Sequence, residues 1–207
     1  ALIGFAGAPW TVATYMINGK GSKDPSALRL FAYQHPEIFD KLIRQLTENT
    51  VEYLARQISA GADAVMLFDS WATGLPQCFF DEYCRRPAEI ISAELKKCHP
   101  EIPFIAFPRG AGPLYTTVAK LVSVDGISID TGLPWSWASE NLSPHATVQG
   151  GMDQLLLIEG GEPMLMAARE LINCFAGKPF IFNAGHGLIP ETPPEHVAQL
   201  VSFIRSL

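Results

Sequence analysis

Phe180-Ile181-Phe182-Asn183-Ala184-Gly185-His186-Gly187 is an apolar run that stops at a polar, glycine-flanked histidine. Three consecutive large apolar residues predict a strand buried on both faces, and the glycines beside His186 predict a turn that leaves the imidazole uncrowded. The same grammar recurs upstream. Leu2-Ile3-Gly4-Phe5-Ala6-Gly7, then Ala64-Val65-Met66-Leu67-Phe68 before Asp69-Ser70, then Phe104-Ile105-Ala106-Phe107 before Pro108-Arg109-Gly110 each place polar chemistry after an apolar stretch. Gly126-Ile127-Ser128-Ile129 before Asp130, and Ala146-Thr147-Val148-Gln149 before Gly150-Gly151-Met152-Asp153, bring the predicted strands to six.

Helical signals fill the intervals. Pro36 suits a first turn, and Ile38, Leu42, Leu46, Leu54 and Ile58 follow at near four-residue spacing, so residues 36–60 predict a long amphipathic helix ended by Gly61. Further helices are expected at residues 77–97 with a kink at Pro87, and near residues 113–123, 134–140 and 163–175, with a last one through Ile204. Thr11 to Met16 read as a loop or short helix presenting Tyr15, and Asn18 to Ser22 as a flexible loop. Such alternation implies an α/β fold with a parallel sheet, and polar residues at every strand's C-terminal end imply a (β/α)8 TIM-type barrel. Six of the eight βα units are visible, so residues 1–207 are read as one partial barrel domain, with about two units preceding them. The alternative is an open, six-stranded doubly wound sheet, and strand order separates the two.

With 48% hydrophobic and 17% charged residues, 207 residues suffice for one full core. Cys78, Cys84, Cys98 and Cys174 lack C-x-x-C spacing and fall in predicted helices, which argues against a disulfide framework or a zinc ribbon and fits a reducing cytoplasm. The N-terminal residues lack a basic signal-peptide region, and no run approaches a membrane span. A net charge of -6 disfavours nucleic-acid binding.

His186 is the sharpest chemical candidate, because a neutral imidazole at a strand end donates to carboxylates or shuttles protons near neutral pH. Tyr15 offers a phenol, or alternatively a core ring with a satisfied hydroxyl. Ser70 has no G-x-S-x-G context and reads as a hydrogen-bond donor. Asp69 and Asp130 end strands, where each meets a substrate nitrogen or pairs with Arg109; pairing suits Asp130 better, and Arg109 is also suited to clamp a carboxylate. His35, His99, His145 and His196 read as surface residues. No metal-ligand spacing, G-x-G-x-x-G, Walker pattern or strand-end lysine is present; Lys178 precedes its strand.

Gly4-Phe5-Ala6-Gly7-Ala8-Pro9-Trp10-Thr11 with Thr14-Tyr15-Met16 resembles the uroporphyrinogen decarboxylase family. Leu67-Phe68-Asp69-Ser70, Gln149-Gly150-Gly151-Met152-Asp153, and Asn183-Ala184-Gly185-His186-Gly187 with Pro194-Glu195-His196 resemble its other signatures, in order, so the resemblance spans essentially the whole chain. It implies a cofactor-free barrel enzyme, usually a homodimer, that converts the four acetate side chains of uroporphyrinogen III to the methyls of coproporphyrinogen III. On that resemblance Tyr15, Ser70 and His186 contact the tetrapyrrole substrate and Phe68 lines its cavity. The family's pyrrole-binding aspartate and Arg-rich segment lie N-terminal to these residues. No catalytic residue is therefore assigned within the chain, and the 207 residues alone are expected to be inactive. Gly151 stands where the family usually has Asn, and Thr131 where it often has Trp, which leaves the exact substrate less fixed than the superfamily. The alternatives are a corrinoid-linked, zinc-dependent methyltransferase of the same superfamily and a non-catalytic porphyrin-binding protein.

Overall fold

The computed structural model describes residues 1–19 and 26–207, and the chain divides into two units, Ala1–Ile127 and Ser128–Leu207. Of the loop expected over Asn18 to Ser22, Lys20, Gly21 and Ser22 lie outside the described residues.

The first unit opens with β1 (Ile3–Gly7) and α1 (Pro9–Asn18), the latter started by a proline at its first turn and stopped by Gly19 at φ 68°. Helices α2 (Ser26–Gln34) and α3 (Pro36–Ser59) follow, α3 matching its predicted span. Next come β2 (Ala64–Asp69), α4 (Gln77–Phe80), a π-turn over Asp81–Arg85, α5 (Arg86–Cys98), β3 (Phe104–Pro108) and the short α6 (Tyr115–Ala119). Strand β4 (Gly126–Ile129) straddles the boundary between the units. Strands β1, β2, β3 and β4 pair in parallel, with Gly7 beside Phe68, and Phe68 and Asp69 beside Phe107 and Pro108, so the strand ends lie level.

The second unit continues with α7 (Trp135–Asn141), β5 (Thr147–Gly150), α8 (Leu156–Glu159), α9 (Gly161–Cys174), β6 (Phe180–Ile181) and α10 (Pro194–Ile204). Strand β6 pairs with β5 in parallel, and a bridge from Met152 to Ala184 levels the segments after these two strands. Strand order equals chain order, β1 to β6. That is the connectivity of a (β/α) barrel and not of a doubly wound sheet, whose order reverses at a switch point.

Several expectations need correction. Strand β6 is two residues long, with Ile181 41% exposed and Phe180 half-buried, and so is not buried on both faces. It has β5 on one side only in the strand order; Phe180 is covered chiefly by stacking on Phe175 at 4.3 Å. The single helix expected over residues 77–97 is broken into α4, the π-turn and α5. Pro87 has no N–H to give the preceding turn and its ring needs room there, and a widened turn supplies it. The helix expected to reach residue 123 stops at Ala119. The hydroxyls of Thr116 and Thr117 bond the carbonyls of Pro113 and Leu114 at 2.8 Å, competing with helical propagation. No helix among the described residues is long and apolar enough to cross a membrane.

The first core gathers around Trp10, which is fully buried in contact with Phe39, Phe79 and Tyr83. On the sheet face that carries Phe68, the residues Met66, Ile105 and Phe107 form a second cluster. The core of the second unit is built from Ile129, Leu142, Val148, Met152, Met164 and Phe175.

Candidate functional site

In the first unit the chain turns directly from β1 into α1, and the Ala8 N–H donates to Phe68 O at 2.8 Å, so the helix is sewn to the end of β2. Trp10, Thr11, Ala13 and Thr14 face inward, which leaves Tyr15 and Met16 outward. Tyr15 is 48% exposed and meets Trp71 edge-on at 6.1 Å, so it is not a core ring. Ser70 is half-buried in the next position along the chain from Trp71. Phe68 lies edge-to-face between Phe5 at 5.8 Å and Phe107 at 5.9 Å, an aromatic wall on one sheet face. Tyr15, Phe68 and Ser70 thus converge on one end of the first unit.

Asp69 follows neither path considered for it. Side chains alternate across a strand, so it turns from the Phe68 face toward the helices. There it is 4% exposed, and the Thr11 hydroxyl donates to its Oδ1 at 2.7 Å. Among the described residues its carboxylate forms no ion pair with the Arg109 side chain; its backbone carbonyl accepts the Arg109 N–H at 3.1 Å. Burial pushes its carboxyl up to about 6, against the smaller opposing pull of the hydrogen bonds from Thr11 and Cys84. The Cys84 thiol is likewise pushed well up, by its own burial first and the neighbouring Asp69 second.

In the second unit His186 is exposed at the end of the segment after β6, with Nδ1 3.3 Å from Gly187 O. It borders a mostly apolar cleft of about 260 Å³ that also has Met152, Phe182, Leu188, Leu200 and Val201 in its walls. The flanking glycines do not serve a left-handed turn, since neither has a positive φ. Gly185 is there for close approach: a Cβ would stand 2.6 Å from Thr131 N and 2.9 Å from Asp130 C, whereas nothing crowds Gly187. Gly185→Ala is therefore expected to lower stability by about 2 kcal/mol and displace the His186 segment, while Gly187→Ala stays within about 0.5 kcal/mol. Urea titrations of the two variants check this, and equal midpoints would contradict it.

Asp130 accepts the Gly132 N–H at 2.8 Å, an Asx turn beside Thr131. Gly151 has φ 94°, and Ile129 Cδ1 stands 3.0 Å from where a Cβ would be, so a side chain there would be strained in this chain. His196 is half-buried and not a surface residue: its Nδ1 lies 2.9 Å from Leu157 O, and its ring fills the space over Gly160. Lys178 Nζ is taken up by Ser139 O and Oγ at 2.8 and 2.6 Å. Among the described residues no three of His, Cys, Asp and Glu gather into a group that holds a metal ion.

A search of solved structures finds a methyltransferase from Methanosarcina mazei, superposing with a TM-score of 0.81 at 17% identity over 99% of this chain and 58% of that one. That likeness concerns the fold. Among curated proteins, the uroporphyrinogen decarboxylases of Rhodospirillum rubrum and of a Jannaschia species are 47% and 48% identical over 206 and 205 residues. These matches take in 100% and 99% of this chain but only 59% and 60% of those proteins, so the chain spans about three fifths of their length. The sequence profile described as "Uroporphyrinogen decarboxylase (URO-D)" matches residues 1–207 without remainder, and on that match, with the strand-end motifs level in each unit, the chain belongs to the uroporphyrinogen decarboxylase family.

Proposed function

We propose that residues 1–207 are one partial barrel domain of an enzyme that decarboxylates uroporphyrinogen III to coproporphyrinogen III, with Tyr15, Ser70 and His186 each a substrate contact. The observation that carries this reading is the family match over every residue of the chain. Tyr15, Ser70 and His186 are three neutral donors suited to the carboxylates of a polyacidic ring, and Phe68 offers an apolar wall to the macrocycle. Loss of carbon dioxide from an acetate side chain needs somewhere for the bonding electron pair to go. Protonation of the adjacent pyrrole carbon makes the ring that acceptor; the carbon–carboxylate bond then breaks into it, and a second proton completes the methyl group while the ring carbon returns its own. The protein's task is to hold the carboxylates and stabilise the cationic ring. Such chemistry needs no metal or organic cofactor. A cytoplasmic homodimer completes the proposal, checked by sedimentation.

The test is a chimera in which this chain replaces the matched segment of the Rhodospirillum rubrum relative, assayed anaerobically with uroporphyrinogen III. Coproporphyrinogen should form, and Tyr15→Phe, Ser70→Ala and His186→Ala should each lower kcat/KM by roughly tenfold to 150-fold, the worth of one hydrogen bond to a charged group, about 1.5 to 3 kcal/mol. A folded chimera without decarboxylation, or variants with unchanged kcat/KM, would remove the assignment.

A further inference from the structure

We propose that Asp69 is the positioning residue of the first unit's strand-end site: its buried carboxyl holds Thr11 against the end of β2 and thereby sets where Tyr15 stands relative to Ser70. This deepens the functional reading above and rests on it, since Tyr15 and Ser70 are the pair taken there to face the tetrapyrrole. The Thr11 hydroxyl joins both sides. It donates to Asp69 Oδ1 at 2.7 Å and accepts the Trp71 N–H at 3.4 Å, so one side chain of α1 is tied to the residues immediately before and after Ser70. The Trp10 indole, one residue earlier on α1, donates to Trp71 O at 3.0 Å. The backbone carbonyl of Asp69 accepts the N–H of Arg109, whose own carbonyl accepts the Thr73 hydroxyl at 3.2 Å, so the end of β3 joins the same lattice. Tyr15 lies one helical turn beyond Thr11 and rests on Trp71. Any slip between Thr11 and Asp69 is therefore carried to the Tyr15–Ser70 spacing.

Asp69 has no room beside it for a ligand. The space beside it, bounded by Ala8, Cys84, Ala88 and Val118, is about 10 Å³, no more than one water occupies. Its Oδ2 is buried without a conventional hydrogen bond among the described residues, and the Cys84 thiol that faces the carboxyl is a weak donor. Burying a carboxyl so sparingly partnered is costly, and an apolar residue would pack there more cheaply. What the carboxyl adds is a directional acceptor for Thr11. An amide oxygen supplies the same acceptor, which gives the test.

The 207-residue chain is labelled with 5-fluorotryptophan, and the Trp71 resonance, one of four, is assigned by Trp71→Phe. Its Tyr15-dependent shift, defined by Tyr15→Leu, reports the packing of Tyr15 on Trp71 directly. Affinity for uroporphyrin III, the stable oxidised octa-acid, is measured in parallel. Asp69→Ala and Thr11→Val should abolish the Tyr15-dependent shift and weaken uroporphyrin binding by about tenfold or more, whereas Asp69→Asn and Thr11→Ser should keep the shift and stay within about threefold. The Trp10 resonance verifies that the first unit is folded, and Thr11→Val answers the question if Asp69→Ala does not fold. An unchanged Trp71 shift in both disruptive variants would overturn the proposal, as would an Asp69→Asn protein as impaired as Asp69→Ala. If the unmodified chain does not bind uroporphyrin, the functional reading loses its support while the Trp71 shift still decides the role of Asp69.

Discussion

Trp10→Ala should cost the first unit about 3 to 5 kcal/mol, the upper range for truncating a buried aromatic residue. Trp10 is 0% exposed, with ring contacts to Phe39 at 6.0 Å, Phe79 at 6.1 Å and Tyr83 at 6.2 Å, so three other elements close on it. Its indole N–H also holds Trp71 O at 3.0 Å, and removing the ring leaves that carbonyl without its donor. The cavity is not one that neighbours fill easily. Its walls are rings on α3, α4 and the π-turn, each fixed by contacts of its own, Tyr83 for instance by a 2.9 Å hydrogen bond to Asp40. Met16, on the same helix and 59% exposed, is the control: Met16→Ala should move stability by no more than about 0.5 kcal/mol. Urea unfolding followed by far-ultraviolet circular dichroism reads both. A Trp10→Ala loss below about 1 kcal/mol would mean that α1 is anchored elsewhere, and Tyr15 with it.

That anchor and the strands around it were unequally visible in the sequence. The ends of β1, β2 and β3 were legible because glycine, proline or a charged residue cuts each apolar run, and those ends carry Tyr15, Phe68 and Ser70. Apolar content, however, does not distinguish a central strand from one with a single neighbour, which is why the sequence of β6 reads as buried on both faces although Ile181 is exposed. The π-turn left only Pro87 as its sign, and a proline in a helix announces a disturbance without naming its form. His196 reads as a surface residue from the sequence because its partners, Leu157 and Gly160, are dozens of positions away. The Gly160-Gly161 pair carries a hint in the sequence, and Gly160 has φ 71° in the fold. The direction of Asp69 is legible in the sequence, because two-residue alternation places it opposite Phe68 and Ser70 and so on the side of the helices. Thr11 as its partner had no such sign, since the two meet only once α1 is folded back over β2.

The Asp69 carboxyl has a consequence for stability with a definite sign. Its folded value, about 6, lies above the 3.8 of an unperturbed aspartate, so the folded state binds the proton more tightly than the unfolded one. The favourable contribution is complete below about pH 3.8 and is lost as pH rises through about 6; above that both states are ionised and the cost of burying the charge is constant. From 3.8 to about 6, at about 1.4 kcal/mol per pH unit, the loss is about 3 kcal/mol. Cys84, the other titratable group facing it, is pushed up by burial and by Asp69 and stays a neutral thiol through this window. Other carboxylates impose pH dependences of their own, but these are common to the wild type and to Asp69→Asn and cancel in the difference. The asparagine protein carries no charge to bury, so its stability relative to wild type should rise by about 3 kcal/mol between about pH 4 and pH 8, most steeply between 4 and 6. Urea midpoints across that range measure it. A difference that does not vary with pH would show that Asp69 ionises in the folded chain as it does in water, and a difference of opposite sign would mean that the carboxylate is stabilised there by a donor stronger than Thr11.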